Sequence, residues 1–266
     1  MLRSRITPCL LVHKKGLVKT VQFKDPKYVG DPINAVKIFN EKEVDELMVL
    51  DIDATVEGRE PDFTMIKNLA IECRMPFCYG GGVTTVEQAK EIIKLGAEKV
   101  ALSSAAIHNL SLLSKIGQAV GLQSVVVVID VKKTKSLFKA ANYEVYSGNG
   151  KIKTGIKLED FLIQINQVGV GEIVINYIDR DGNMEGYDTE LVQFVREKVD
   201  MPLTILGGAG SHQDIKELIS RYKVIGAAAG SLFVFKGKYR AVLINYPSKE
   251  ERKSIYPKKT KSKLFS

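Results

Sequence analysis

The 266-residue chain is poor in the residues that build cross-links and metal centres. Its three cysteines, Cys9, Cys73 and Cys78, are odd in number and form no C-x-x-C pair, which argues against a disulfide framework and a cysteine zinc site. The three histidines, His13, His108 and His212, lack metal-ligand spacing and read as solvated or helix-capping side chains. No metal is expected. No apolar run approaches the ~20 residues of a membrane helix. No apolar N-terminal run leads to a small-residue cleavage site, so the expectation is a cytoplasmic protein without a membrane partner. The G-x-S-x-G, Walker and Rossmann fingerprints are absent as well.

Acidic residues are in the minority, but the imbalance is local. Of the formal charge of +8, +5 lies in the last segment, "KEERKSIYPKKTKSKLFS". No aromatic stacking pattern accompanies it, so residues 249–266 read as a solvated, flexible basic tail rather than a nucleic-acid arm.

What remains, 1–248, has the length and the 45% apolar content of one α/β domain. Short β-branched runs alternate with amphipathic stretches. The expected strands are Ile6–Leu11, Leu47–Asp51, Pro76–Tyr79, Lys99–Leu102, Ser124–Asp130, Glu172–Asn176, Pro202–Leu206 and Val224–Ala227. Between them lie helices such as "TTVEQAKEIIKLG", capped by Thr84 or Thr85 and ended by Gly96. Eight βα units of this length predict a (β/α)8 TIM barrel. The stretch "SLFKAANYEVYSGNGKIKTG" adds a hairpin-like insertion turning at Gly148–Gly150.

The chain also repeats itself. "DELMVLDIDATVEGRE" from Asp45 matches "GEIVINYIDRDGNMEG" from Gly171, and "MPFCYGGGVTTVEQAKEII" from Met75 matches "MPLTILGGAGSHQDIKELI" from Met201. The common offset marks two similar half-barrels. In this repeat "RITPCLLVHKK" corresponds to "VVVVIDVKK", and Leu11 stands opposite Asp130 in meaning: one half offers a leucine where the other offers a carboxylate.

Barrel chemistry belongs at the C-terminal strand ends. Two glycine clusters fall there, Gly80–Gly82 and Gly207–Gly210, followed by the donors Ser103 and Ser104 in one half and Gly230 and Ser231 in the other. Glycines let backbone N–H groups approach an anion, so the pair points to a substrate with two phosphates. Asp130 ends an apolar run and reads as a general acid or base. Asp51, Asp53, Asp179 and Asp181 also end strands. At the opposite rim Arg5, Glu46, Lys99 and Glu172 begin strands. Two cations and two anions there can close into a salt-bridged ring, which by itself reads as structural.

Taken together, "FNEKEVDELMVLDI", "YGGGV", "GAEKV", "VVVVIDVKK", "EVYSGNGKIKTG", "YIDRDGNMEGYD" and "GGAGS" resemble the HisF family, the cyclase subunits of imidazole glycerol phosphate synthase in histidine biosynthesis. The likeness runs from Met1 to about Asn245. It implies a partner glutaminase (HisH-like) on the barrel's N-terminal face, ammonia passing through the barrel, a phosphorylated ribonucleotide substrate, and no metal or organic cofactor. On that pattern Arg5, Glu46, Lys99 and Glu172 match the charged gate of the ammonia passage. Gly82, Ser103 and Ser104 match one phosphate site, and Asp181, Gly182, Gly208, Gly230 and Ser231 the other. Lys19 matches a lysine of the mobile first βα loop. Asp130 matches one of the family's two catalytic aspartates, and Leu11 occupies the place of the second. Asn176, Tyr177 and Leu206 replace a threonine and two serines. The altered mouth resembles a divergent branch associated with surface-polysaccharide (lipopolysaccharide) gene clusters, whose members are thought to feed ammonia to an amidotransferase that installs an amidine on a sugar. Two functions therefore follow: a cyclase using Asp130, or a non-cyclising subunit that activates a glutaminase and channels ammonia. The related sugar-phosphate isomerase also relies on a strand-one aspartate and has no use for the gate.

Overall fold

A strand buried on both faces reads as a continuous apolar run, and "VVVVID" is the clearest case: Val125 to Val131 are all buried. The computed structural model describes residues 3–134 and 142–256. In it the barrel strands are β1 (Arg5–His13), β4 (Leu47–Asp51), β5 (Phe77–Gly80), β6 (Lys99–Leu102), β7 (Val125–Thr134), β10 (Glu172–Tyr177), β11 (Leu203–Leu206) and β12 (Gly226–Ala229). Parallel pairing runs round in chain order and closes where Arg5 of β1 lies opposite Gly226 of β12. The expected (β/α)8 barrel is the observed one; seven of its strands lie within two residues of their expected bounds, and β7, expected to end at Asp130, runs on to Thr134 because it continues into the hairpin insertion.

Alternation then sorts the side chains. Cys9, Met48, Cys78, Ala101, Val126, Val128, Val174, Leu206 and Ala228 fill the lumen, with Leu11 and Leu50 packed above them. The other strand faces pack against the helices in a larger outer core that includes Phe39, Ile66, Ile92, Ile116, Ile165 and Ile219. The cap of α3 (Val86–Lys94) is Thr85, in a reciprocal capping box with Gln88.

Two insertions decorate the mouth. β8 (Asn142–Ser147) and β9 (Ile152–Lys157) form the expected hairpin after β7, though residues 135–141 of that stretch lie outside the described residues. The segment after β1, expected as a loop carrying Lys19, is also a hairpin: β2 (Gly16–Val21) pairs with both β1 and β3 (Lys24–Gly30).

The C-terminal segment departs from expectation. Instead of a solvated tail from residue 249, Lys249–Ile255 forms a helix, α10, with Ser248 as N-cap and Glu251 completing its capping box. Ile255 is buried, and Lys249 and Arg252 reach back to Glu43, so the charged residues mark a docked, one-sided helix. Residues 257–266 lie outside the described part of the chain.

Candidate active site at the barrel mouth

The strand ends open onto one cavity of about 390 Å³, lined by both halves of the repeat. Gly80–Gly82, Ser103 and Ser104 lie on one side of it, and Asp181, Gly230 and Ser231 on another. A smaller recess of about 20 Å³ adjoins the second group and adds Gly182, Gly207 and Gly208. The structure thus gathers the residues read as two anion sites around a single mouth. Glycine is required at several: a Cβ on Gly182 (φ +70°) would stand 2.2 Å from the Thr20 carbonyl oxygen, and one on Gly208 (φ +108°) 2.3 Å from that of Gly186. The hydroxyl of Ser103 is buried with no hydrogen-bond partner among the described residues.

Asp130 points into the lumen from β7. Its Oδ1 accepts from Asn176 Nδ2 at 2.9 Å, and the other oxygen accepts no hydrogen bond from the described residues. Burial raises its pKa from 3.8 to about 7, with the nearby Asp181 adding to the rise and Asn176 opposing it. Asn176 is itself half satisfied, since its Oδ1 is buried without a partner among the described residues. Leu11, with Leu50 and Leu206, lines the same cavity and gives it a hydrocarbon wall.

The other strand-end acids hold loops. Asp51 Oδ1 accepts from the N–H groups of Asp53 and Ala54. Asp53 accepts from Lys14 N at 2.7 Å, and at the equivalent place in the second half Asp179 accepts from Lys133 N at 2.9 Å. Asp181 Oδ2 accepts from Thr20 Oγ1 at 2.8 Å and Phe23 N at 3.3 Å, which pins the β2–β3 hairpin across the mouth. One oxygen of the Asp181 carboxylate is therefore engaged by the hairpin, and the glycines of the recess lie beside it. His13, read as solvated, instead bonds through Nδ1 to Asp53 Oδ1 at 2.7 Å; its strand position gave no hint of the partner.

Lys19 is brought in with the hairpin. It is buried, its Nζ donates to the Cys9 carbonyl at 2.6 Å, and burial lowers its pKa against the pull of Asp181. The ammonium lies over the face of Gly230, where a Cβ would come within 2.6 Å of it. A cation beside the second glycine group suits an anionic ligand there.

At the other end of the lumen the four charged strand starts form the closed ring. Arg5 contacts Glu46 at 2.8 Å and Glu172 at 2.7 Å; Lys99 contacts Glu172 at 2.7 Å and also Glu46. Thr204 Oγ1 donates to Glu172 at 2.5 Å. Burial alone would raise the Glu172 pKa, but Lys99 and Arg5 hold it below the ordinary value. Both carboxylates are nearly inaccessible, so each depends on both cations.

No group of metal-ligating side chains is present among the described residues, and no helix among them is long and apolar enough to cross a membrane.

Comparison with known proteins agrees with this geometry. The family model "Histidine biosynthesis protein" matches residues 5–240. A Vibrio vulnificus protein provisionally named imidazole glycerol phosphate synthase subunit hisF3 is 56% identical over 95% of this chain and 96% of its own. Pseudomonas aeruginosa hisF2, also provisionally named, is 50% identical over 93% and 97%. The Thermotoga imidazole glycerol phosphate synthase subunit HisF is 39% identical over 89% and 91%. The chain belongs to the histidine biosynthesis protein family, as a HisF-like subunit of the imidazole glycerol phosphate synthase type.

Proposed function

We propose that this subunit receives ammonia from a HisH-like glutaminase docked on the N-terminal face, passes it through the lumen and delivers it at the mouth without closing an imidazole ring. The observation that carries this reading is the pairing at the mouth: one oxygen of Asp130 accepts no hydrogen bond from the described residues and burial pushes its pKa up to about 7, while Leu11 offers neither donor nor acceptor. One carboxyl can take or give a proton. A cyclisation that relies on two positioned groups loses a factor of about 10²–10⁴ for each one missing. Asp51, Asp53, Asp179 and Asp181 are each engaged by backbone N–H groups that shape the rim, a structural role that Asp130 does not share.

The ring of Arg5, Glu46, Lys99 and Glu172 supports entry from the N-terminal face, and above it the lumen is largely apolar. Ammonia, small and uncharged, crosses such a path at a much lower desolvation cost than ammonium. Thr7 Oγ1, buried there without a partner, gives it one hydrogen-bonding stop. At the mouth the glycines with Ser103, Ser104, Ser231 and Lys19 support an acceptor bearing phosphates. The relatives at 50–56% identity carry provisional or numbered HisF names, whereas those named HisF without qualification stand at 35–39%. That division supports a separate branch, in which the ammonia goes to an amidotransferase acting on a surface-polysaccharide sugar.

The test supplies purified protein with the family's phosphoribulosyl-formimino ribonucleotide and an ammonium salt, and compares Leu11→Asp. We expect turnover at least about a hundredfold below a HisF cyclase, recovered in part by the aspartate. Wild-type turnover at cyclase rates would return the protein to ring closure.

A further inference from the structure

The docked C-terminal helix meets the barrel beside two members of the charged ring. Where β1 and β4 are paired, Cys9 lies opposite Met48. Extending that register toward the strand starts sets Ile6 opposite Asp45, and there the two backbones no longer bond each other directly. Side chains bridge the gap instead. Tyr246, buried, accepts from Asp45 N at 3.2 Å and donates to the Ile6 carbonyl at 2.9 Å. Asp45 Oδ2 accepts from Ile6 N at 3.0 Å and from the hydroxyl of Tyr256. Arg252 places its guanidinium 3.6 Å from Asp45 Oδ1 and donates to the Glu43 carbonyl at 2.6 Å. A tyrosine hydroxyl and a carboxylate thus stand in for a rung of the sheet, and the C-terminal segment supplies or fixes both.

The residues next to this rung are Arg5, before Ile6, and Glu46, after Asp45. Alternation turns them inward as Ile6 and Asp45 turn outward, and they contact each other at 2.8 Å. On its other side Arg5 is tied by its own N–H to the Ile225 carbonyl at 3.3 Å. The rung is therefore the hold on the β4 side of the Arg5–Glu46 contact.

We infer that Tyr246, Asp45, Arg252 and Tyr256 are positioning residues for the charged ring, and that the C-terminal segment is the part of the chain that sets its closure. The consequence for ammonia entry rests on the function proposed above; the positioning itself does not. It explains why a helix with one buried apolar side chain is kept in place by hydrogen bonds to a strand start. Any partner seated on the N-terminal face beside α10 can shift the ring by shifting this rung.

The reactivity of Lys99 reads ring closure in the free protein. In the ring its ammonium is pinned between Glu46 and Glu172, which raise its pKa against burial and suppress its nucleophilicity. The full-length protein is treated with acetic anhydride and acylation of Lys99 is followed by peptide mass spectrometry. Glu46→Gln opens the ring directly and sets the upper limit. Each unit by which the Lys99 pKa falls multiplies its neutral fraction about tenfold. Tyr246→Phe is expected to raise the Lys99 rate about threefold or more, with Tyr256→Phe as the second variant should the first fold poorly. Val145→Ala, a buried truncation in β8 at the barrel mouth, controls for general loosening. Acceleration in the tyrosine variants and not in Val145→Ala supports the inference. Lys99 rates equal to wild type in folded Tyr246→Phe and Tyr256→Phe, or equal acceleration in the control, would overturn it. If the rates rise while Lys99→Ala leaves glutamine use and ammonia delivery coupled, the positioning stands and the gate reading falls.

Discussion

Replacing Asp130 by asparagine should stabilise the protein, by an amount that depends on pH in a defined way. The carboxyl is buried among lumen valines and leucines, and its pKa of about 7 lies far above the ordinary 3.8. Below about pH 4 it is neutral in both folded and unfolded chains and costs nothing electrostatically. Between pH 4 and 7 the unfolded chain ionises and the folded one does not, so folding stability falls with rising pH at about 1.4 kcal/mol per unit. Above pH 7 both states are ionised and the penalty levels off at about 4 kcal/mol. Asparagine has nearly the same shape, and its carbonyl oxygen can still accept from Asn176 Nδ2, as Asp130 Oδ1 does at 2.9 Å. It removes the ionisation alone. Urea unfolding of both proteins from pH 4.5 to 8.5 should give a stability difference that grows up to about pH 7 and then stays flat. Parallel curves, or a variant less stable at pH 8 than wild type, would refute the assignment of Asp130 as a buried carboxyl held near neutrality.

Three further outcomes follow from the geometry. Lys99→Ala leaves Glu46 and Glu172 with Arg5 as their one cation, so it should cost about 3–5 kcal/mol in denaturant titrations; in a glutaminase complex it should also let glutamine hydrolysis outrun ammonia delivery. Gly182→Ala drives a methyl into the Thr20 carbonyl at 2.2 Å, so it should displace the hairpin and weaken inorganic phosphate binding measured by calorimetry, while Gly155→Ala, whose Cβ meets nothing, should leave phosphate binding unchanged. Thr20→Val removes the Asp181 bond at 2.8 Å, and faster amide exchange should appear over Gly16–Gly30 while the barrel strands stay protected.

The barrel was legible because its strands announce themselves. "VVVVID", "LMVLD" and "EIVINY" are continuous apolar runs with polar residues confined to their ends, as strands covered on both faces must be. The glycines of the mouth were legible through the repeat, which placed them at matching strand ends. The charged ring could be listed from its strand-start positions, but its closure needed the lumen geometry. Two elements were hidden for a common reason. "KDPKYVG" in β3 is mostly exposed and lacks alternation, and α10 has Ile255 as its buried apolar residue, so neither carries a hydrophobic period. β3 is held by backbone pairing with β2, and α10 by side-chain bonds to distant backbone, and neither leaves a local apolar pattern. The strand-end acids misled in the same way: a carboxylate that holds a loop and one that moves protons look alike in a sequence.

That division of labour among the acids has a consequence for how such a mouth changes over evolutionary time. The carboxylates that shape the rim tie down Lys14, Phe23, Ala54 and Lys133, and none of those bonds passes through residue 11, 176 or 206. Scaffold and reactivity are written in separate letters. A lineage can therefore exchange the inward side chains one at a time and explore new acceptors while every loop stays where it was. On the function proposed above, Leu11 is such a rewrite: a change of chemistry made without touching the architecture that holds it.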